Sequence, residues 1–162
     1  MKRSPMPARR TPLKPGNPAE RGTDPARVPQ RRRTPRDTGP SAAVRSLVHA
    51  REGSACAACG ISITGRPHSV QHRVARGMGG TPDPEANSLS NLVLLCGSAT
   101  TPGSCHEACE RREPAMRARG FWLYSWENPA EVPIMLASPH GSGMTVRLTP
   151  DGNYEPFEGR AA

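Results

Sequence analysis

Aromatic residues are scarce, with two Phe, two Trp and two Tyr in a chain of 162 residues. A chain this poor in large apolar side chains can build only a small core, so something besides burial must help to hold it. Long apolar runs are also missing. No stretch is long enough to span a bilayer, and the N-terminus has no apolar segment of the kind a secretion signal needs. The chain is therefore expected to be soluble and cytoplasmic. Lysine is nearly absent, 2 residues against 20 arginines, and no internal repeat can be found. Pro and Gly, by contrast, account for 35 residues.

The net charge of +8 is unevenly placed. Residues 1–45 carry 12 Lys and Arg against 3 Asp and Glu, whereas residues 46–162 carry 10 against 11. Residues 1–40 have proline every few positions and almost no apolar periodicity, so they cannot offset their ordering entropy by burial and are expected to be a disordered basic arm. Arg31, Arg32 and Arg33 form its densest charge run. Such an arm suits a polyanion such as nucleic acid, since each phosphate contact releases condensed counterions. A solubilising tail or linker would have the same composition.

Structure is expected from Ser41. SAAVRSLVHAREG begins with a good N-cap, sets Val44, Leu47 and Val48 on one face and stops at Gly53, which reads as a helix. CAACG follows as a tight knuckle. ISITGRPHSVQHRV reads as two short β-segments about a Gly65–Pro67 turn, and GMGGTPDPEANS as a loop. LSNLVLLC reads as the apolar approach to a second knuckle. CHEACERREPAMRARG should give two short helices, broken by Pro114 and ended at Gly120. FWLYSW, VPIML and MTVRLTPDGNYEPF read as a C-terminal β extension, residues 121–162, with a turn at Thr149–Gly152.

Five cysteines without a secretion signal argue against a disulfide framework. Cys56 and Cys59, at C-x-x-C spacing, can clamp one tetrahedral ion, and Cys96 and Cys105 would complete the set across eight intervening residues. A structural zinc there would contribute much of the fold stability. The competing reading is a redox pair at Cys56 and Cys59. Cys109, one helical turn after Cys105, is either a substitute ligand or simply buried.

Of the five histidines, His49 and His140 suit surface or structural roles, while His72 and His106 fall inside the cysteine frame. Glu110 lies four residues after His106, so the two share a helical face and could hold a divalent ion. Arg73 and Arg76 are candidate phosphate contacts, or part of a solvated face. Gly77, Gly79 and Gly80 would let the backbone approach DNA or turn sharply, or equally form only a loop.

The order QHRVARGMGG, then SNLVLLC, then CH opening a helix resembles the HNH endonuclease family, in particular a phage-encoded branch with an HHR-x-x-RGMGG-like first motif. The resemblance covers residues 54–120 and extends more weakly through GFWLYSWENPAEVPIML. It implies a small α+β fold with a ββα-metal (His-Me finger) core over residues 41–120, a four-cysteine structural zinc and one catalytic divalent ion, Mg²⁺, Mn²⁺ or Ni²⁺. It implies His72 as the general base, Asn91 as the residue that fixes the loop and orients that base, and His106 as a ligand of the catalytic metal. It also implies DNA as substrate, the terminase large subunit as a partner in phage DNA packaging, and the host cytoplasm as location.

The elementary chemistry agrees: phosphodiester hydrolysis needs a base titrating near neutrality and a Lewis acid on the phosphoryl oxygens. One position departs from the pattern. The residue before the base is usually His or Asp and ligates the metal, whereas here it is Gln71. Weaker metal affinity is expected, with His68 or Glu110 as candidates to compensate. The alternatives are a zinc-stabilised DNA-binding protein without catalysis, or a zinc-knuckle protein-interaction domain.

Overall fold

The computed structural model describes residues 39–77, 81, 83–137 and 143–159, all within one compact unit of residues 36–162. The basic arm up to residue 38, with Arg31, Arg32 and Arg33, lies outside the described residues, as do Gly79, Gly80 and His140. The fold is small α+β, with three short α-helices and two small sheets among the described residues. None of these helices is long and apolar enough to cross a membrane.

Helix α1, Ala42–Glu52, begins and ends where the sequence places its caps. The Ser41 hydroxyl accepts from Val44 N–H at 3.2 Å, and Gly53 closes the helix in the left-handed region. Only Val48 and Glu52 are fully buried along it. Glu52 is held by Arg51 and by the Tyr154 hydroxyl at 2.7 Å, and Arg51 also donates to the Leu89 and Leu92 carbonyls. This buried network ties α1 to the core without needing a broad apolar face.

Strand β1, His68–His72, pairs antiparallel with β2, Leu92–Cys96, in the register His68 opposite Cys96 and His72 opposite Leu92. Leu92, Val93, Leu94 and Leu95 are all buried. Both α1 and the helix after β2 pack against this strand, so it reads as an unbroken apolar run instead of an alternating one. A two-stranded ribbon is marginal alone, and this double cover stabilises it. The expected first β-segment reduces to an isolated bridge between Ala55 and Ser62.

Helices α2, Cys105–Glu110, and α3, Pro114–Ala118, are the two short helices expected on either side of Pro114. The stretch from Phe121 to Trp126 is not a strand, apart from a parallel bridge of Leu123 to Val74. Phe121 N–H returns to Met116 O, Tyr124 N–H goes to the Glu127 carboxylate and Tyr124 O accepts from Glu127 N–H, so local turns take the backbone groups that a longer ladder would need. β3, Ile134–Leu136, β4, Met144–Leu148, and β5, Tyr154–Pro156, form an antiparallel sheet in that order. Gly152 N–H returns to Thr149 O at 3.0 Å in the expected turn. Ile134, Leu136, Val146 and Leu148 join Leu92–Leu95, Phe121 and Val48 in one core.

Candidate functional site

The four cysteines converge. Cys56 and Cys59 come from the turn after α1, Cys96 ends β2 and Cys105 starts α2, and their sulfurs all lie within 4.8 Å of one another. Tetrahedral zinc with Zn–S bonds of about 2.3 Å places sulfurs about 3.8 Å apart. Cys59 and Cys96 stand at 3.9 Å. Among the described residues this is the one group of three or more Cys, His, Asp and Glu side chains gathered closely enough to hold an ion.

The backbone supports thiolates here. Cys105 N–H points at Cys96 Sγ at 3.4 Å. A hydrogen bond from Cys105, aided by backbone donors, holds the Cys56 thiol down to about 5. Burial pushes Cys59 up to about 11, with the neighbouring Cys56 adding to it. Four sulfurs gathered this closely fit a common cation. Gly97 permits the arrangement: its φ is +76°, and a Cβ there would sit 2.2 Å from the Ser104 Cβ, so only glycine lets the end of β2 meet the N-cap of α2. Cys109 is buried outside the four-sulfur set, and burial raises its thiol to about 12.

Beside this centre, β1 faces α2 across a cavity of about 390 Å³ lined by Gln71, His72, Arg76, His106 and Glu110. Ser69 and Gln71, two residues apart on β1, reach α2. The Ser69 hydroxyl contacts His106 Nδ1, and Gln71 Nε2 donates to Glu110 Oε1 at 3.3 Å. His106 Nε2 stands 3.6 Å from the same carboxylate oxygen, so the expected shared helical face is present. Ser69 also donates to Gly97 O at 2.8 Å. Ser69 thus engages Nδ1 and leaves Nε2 turned toward Glu110. Burial lowers the His106 pKa and favours a neutral ring, against the charge of Glu110 and its hydrogen bond.

His72, at the end of β1, is 9% exposed, and its Nε2 meets Asn87 Oδ1 at 3.0 Å. Burial lowers its pKa, the Asn87 bond raises it, Arg76 lowers it and Glu110 raises it. Asn87 closes a 3₁₀ turn, Pro84–Asn87, that is capped by Asp83. Asn91 does not touch His72 through any of these bonds. It fixes the loop instead: Oδ1 accepts from Val74 N–H at 2.7 Å, and Nδ2 donates to the Ala86 and Val74 carbonyls. Of the two tasks expected of Asn91, holding the loop is what these contacts do, and the direct bond to His72 belongs to Asn87.

Arg73 corrects the sequence reading outright. It is 1% exposed and cannot reach a phosphate. Its guanidinium donates to the carbonyls of Gly120, Ser90, Pro129, Val132 and Pro133, at 2.7 to 3.4 Å. Burial lowers its pKa, and the five carbonyl acceptors solvate the charge. Gly120 is fitted to this task, since a Cβ at its φ of +78° would lie 2.2 Å from Pro133 O. Arg76 is exposed on the cavity rim. His68 sits at the exposed start of β1, bonded to Arg66 O and edge-on to His49, and is not part of the cavity lining.

Sequence reasoning missed Ser69 and Asn87. The period of two along β1 could have marked Ser69 as facing the same way as Gln71. The D-P-E-A-N capping pattern could have marked a turn ending on Asn87. No family model, curated protein or solved structure matches the chain.

Proposed function

We propose that the protein is a metal-dependent endonuclease of the HNH type that hydrolyses DNA phosphodiester bonds. The observation that carries this reading is the convergence of His72, Gln71, His106 and Glu110, from β1 and α2, on one cavity next to the four-sulfur centre that joins β2 to α2. Strand, strand and helix in that order suit a ββα-metal core, and the sulfur centre suits structural zinc.

The donor set fits a hard divalent ion. His106 offers Nε2, Glu110 a carboxylate oxygen and Gln71 an amide oxygen once its side chain turns about χ3, since amide O and N are interchangeable in shape. When bound, such an ion supplies charge neutralisation on the scissile phosphate and the leaving oxygen. His72 is neutral near pH 7 with Nε2–H committed to Asn87, which leaves Nδ1 as the acceptor for the proton of an attacking water. Arg76 on the rim is placed for a flanking phosphate. Pro40 lines the same cavity.

The implied setting is phage DNA processing or packaging alongside the terminase large subunit, in the host cytoplasm. The products should carry 5′-phosphate and 3′-hydroxyl ends, so cut DNA resealed by a ligase without prior end repair supports the reading, and ends that resist ligation oppose it. One observation favours a second reading, a zinc-stabilised DNA-binding protein with weak or no catalysis: Gln71 brings no charge to the cavity and instead bonds Glu110.

A further inference from the structure

Three of the chain's six Phe, Trp and Tyr residues stand at alternate positions in one stretch: Trp122, Tyr124 and Trp126. They form a ladder. Trp122 meets Tyr124 edge to face, with centroids 5.4 Å apart, and Tyr124 stacks on Trp126 at 4.5 Å with planes 4° from parallel. The inner rungs are well anchored. Trp122 Nε1 donates to Glu113 O at 3.0 Å, and the Arg117 guanidinium lies 5.5 Å from the Trp122 centroid and 4.9 Å from that of Tyr124. Glu127 holds Arg117 at 2.6 Å with one oxygen and the Tyr124 N–H at 2.7 Å with the other. Exposed Arg112 rests on Trp122.

The outer rung is different. Trp126 is 77% exposed, the most exposed of the chain's large apolar side chains among the described residues. A core role does not explain an indole stacked on one face and left in water, in a chain with so few aromatics to spend on its core.

We propose that the ladder is a stacking platform for an unpaired base of a single-stranded stretch of nucleic acid, which lies on the Trp126 face turned away from Tyr124. Base stacking on aromatic side chains tolerates any sequence, and arginines beside the rings attract the adjoining phosphates. Placement argues for a nucleic-acid occupant over a peptide. Leu123 pairs in parallel with Val74, and its N–H donates to Arg73 O at 2.7 Å, so the ladder segment runs beside the chain that carries His72 and Arg76. Counted along that track at about 3.3 Å per residue, with about 5 Å added across the bridge, Trp126 lies within about 22 Å of His72, a span of a few nucleotides. The exposed Arg112 beside Trp122 gives this face positive charge of its own. The inference rests on the nucleic-acid part of the proposed function and not on cleavage. It makes the preferred substrate single-stranded or branched.

The test uses the full chain without added divalent metal, and three fluorescein-labelled probes: a single-stranded deoxyoligonucleotide, the same strand with abasic positions, and its duplex. Anisotropy gives affinity, and tryptophan emission reports stacking. We expect Trp126→Ala to weaken binding of the base-bearing strand about 5- to 100-fold while changing abasic-strand and duplex binding less than about twofold. Trp126→Phe should keep most of the affinity but lose the quenching seen on adding the base-bearing strand. Equal losses on all three probes, unchanged binding by Trp126→Ala, or failure of every probe to bind would overturn the inference. If the stacking signature appears but neither Mg²⁺, Mn²⁺ nor Ni²⁺ brings cleavage, the platform stands and the nuclease reading falls.

Discussion

His72 Nε2 and Asn87 Oδ1 lie 3.0 Å apart, and this one bond sets which nitrogen of His72 can accept a proton. An amide oxygen only accepts, so the ring proton sits on Nε2 and the lone pair on Nδ1. The His72 pKa is below its usual value because the ring is buried, and the Asn87 bond opposes that shift. A base works when deprotonated, so cleavage should rise with pH and level off with a midpoint below about 6.5. Asn87→Ala removes a contribution that raises the pKa and should move the midpoint lower still. The pH–rate profile of both proteins at saturating metal checks this.

Ser69 is not among the residues that line the cavity, yet its hydroxyl, which donates to Gly97 O, holds His106 at Nδ1. Ser69→Ala should weaken activation by divalent metal about 10- to 100-fold, the cost typical of losing such an orienting bond, and leave thermal stability within about 1 kcal/mol. A metal titration of cleavage beside a melting curve separates the two effects.

Arg73 is predicted to matter for stability alone. Arg73→Ala strands carbonyls of three segments, at Ser90, at Gly120 and at Pro129–Pro133, and should destabilise the fold by roughly 3 kcal/mol or more. Arg73→Lys should recover little, because an ammonium cannot match a planar fork reaching five acceptors. Arg76→Ala should leave urea unfolding unchanged and lower DNA affinity instead. Chemical unfolding of the three variants tests the contrast.

Zinc analysis should find one ion per chain. Cys59→Ala or Cys96→Ala should lose it and unfold much of the chain, since structural zinc contributes on the order of 10 kcal/mol. Cys109→Ala should keep the full stoichiometry, because its sulfur lies outside the cluster.

Much of this was legible in the sequence where the signal is local. The caps of α1, the break at Pro114 and the spacing of Cys56 and Cys59 are written within a few residues of where they act. The pairing of Cys56 with Cys59 and of His106 with Glu110 was legible because C-x-x-C spacing and helical periodicity have only a few outcomes. Arg73 was misread because its neighbours in sequence, His72 and Arg76, do line the cavity. Its burial depends on carbonyls some sixty positions later, at Val132 and Pro133, and no local pattern encodes that. The Phe121–Trp126 stretch has strand composition, but its backbone is committed to the exit from Gly120 and to Arg73, a tertiary demand that overrides β propensity. Asn91 and Asn87 show the same limit: both could serve His72, and only the fold decides between them.

The central claim is that this cavity cuts DNA with His72 as base. The most direct measurement is nicking of supercoiled plasmid by the full chain with Mg²⁺, Mn²⁺ or Ni²⁺, compared with His72→Ala and Gln71→His. The account predicts relaxed product from the wild type at raised metal concentration, loss of at least about 100-fold in His72→Ala, and activity at lower metal in Gln71→His, where imidazole replaces a neutral amide. No product from the wild type or from Gln71→His with any of the three ions, beside an intact salt-sensitive gel shift, would contradict it.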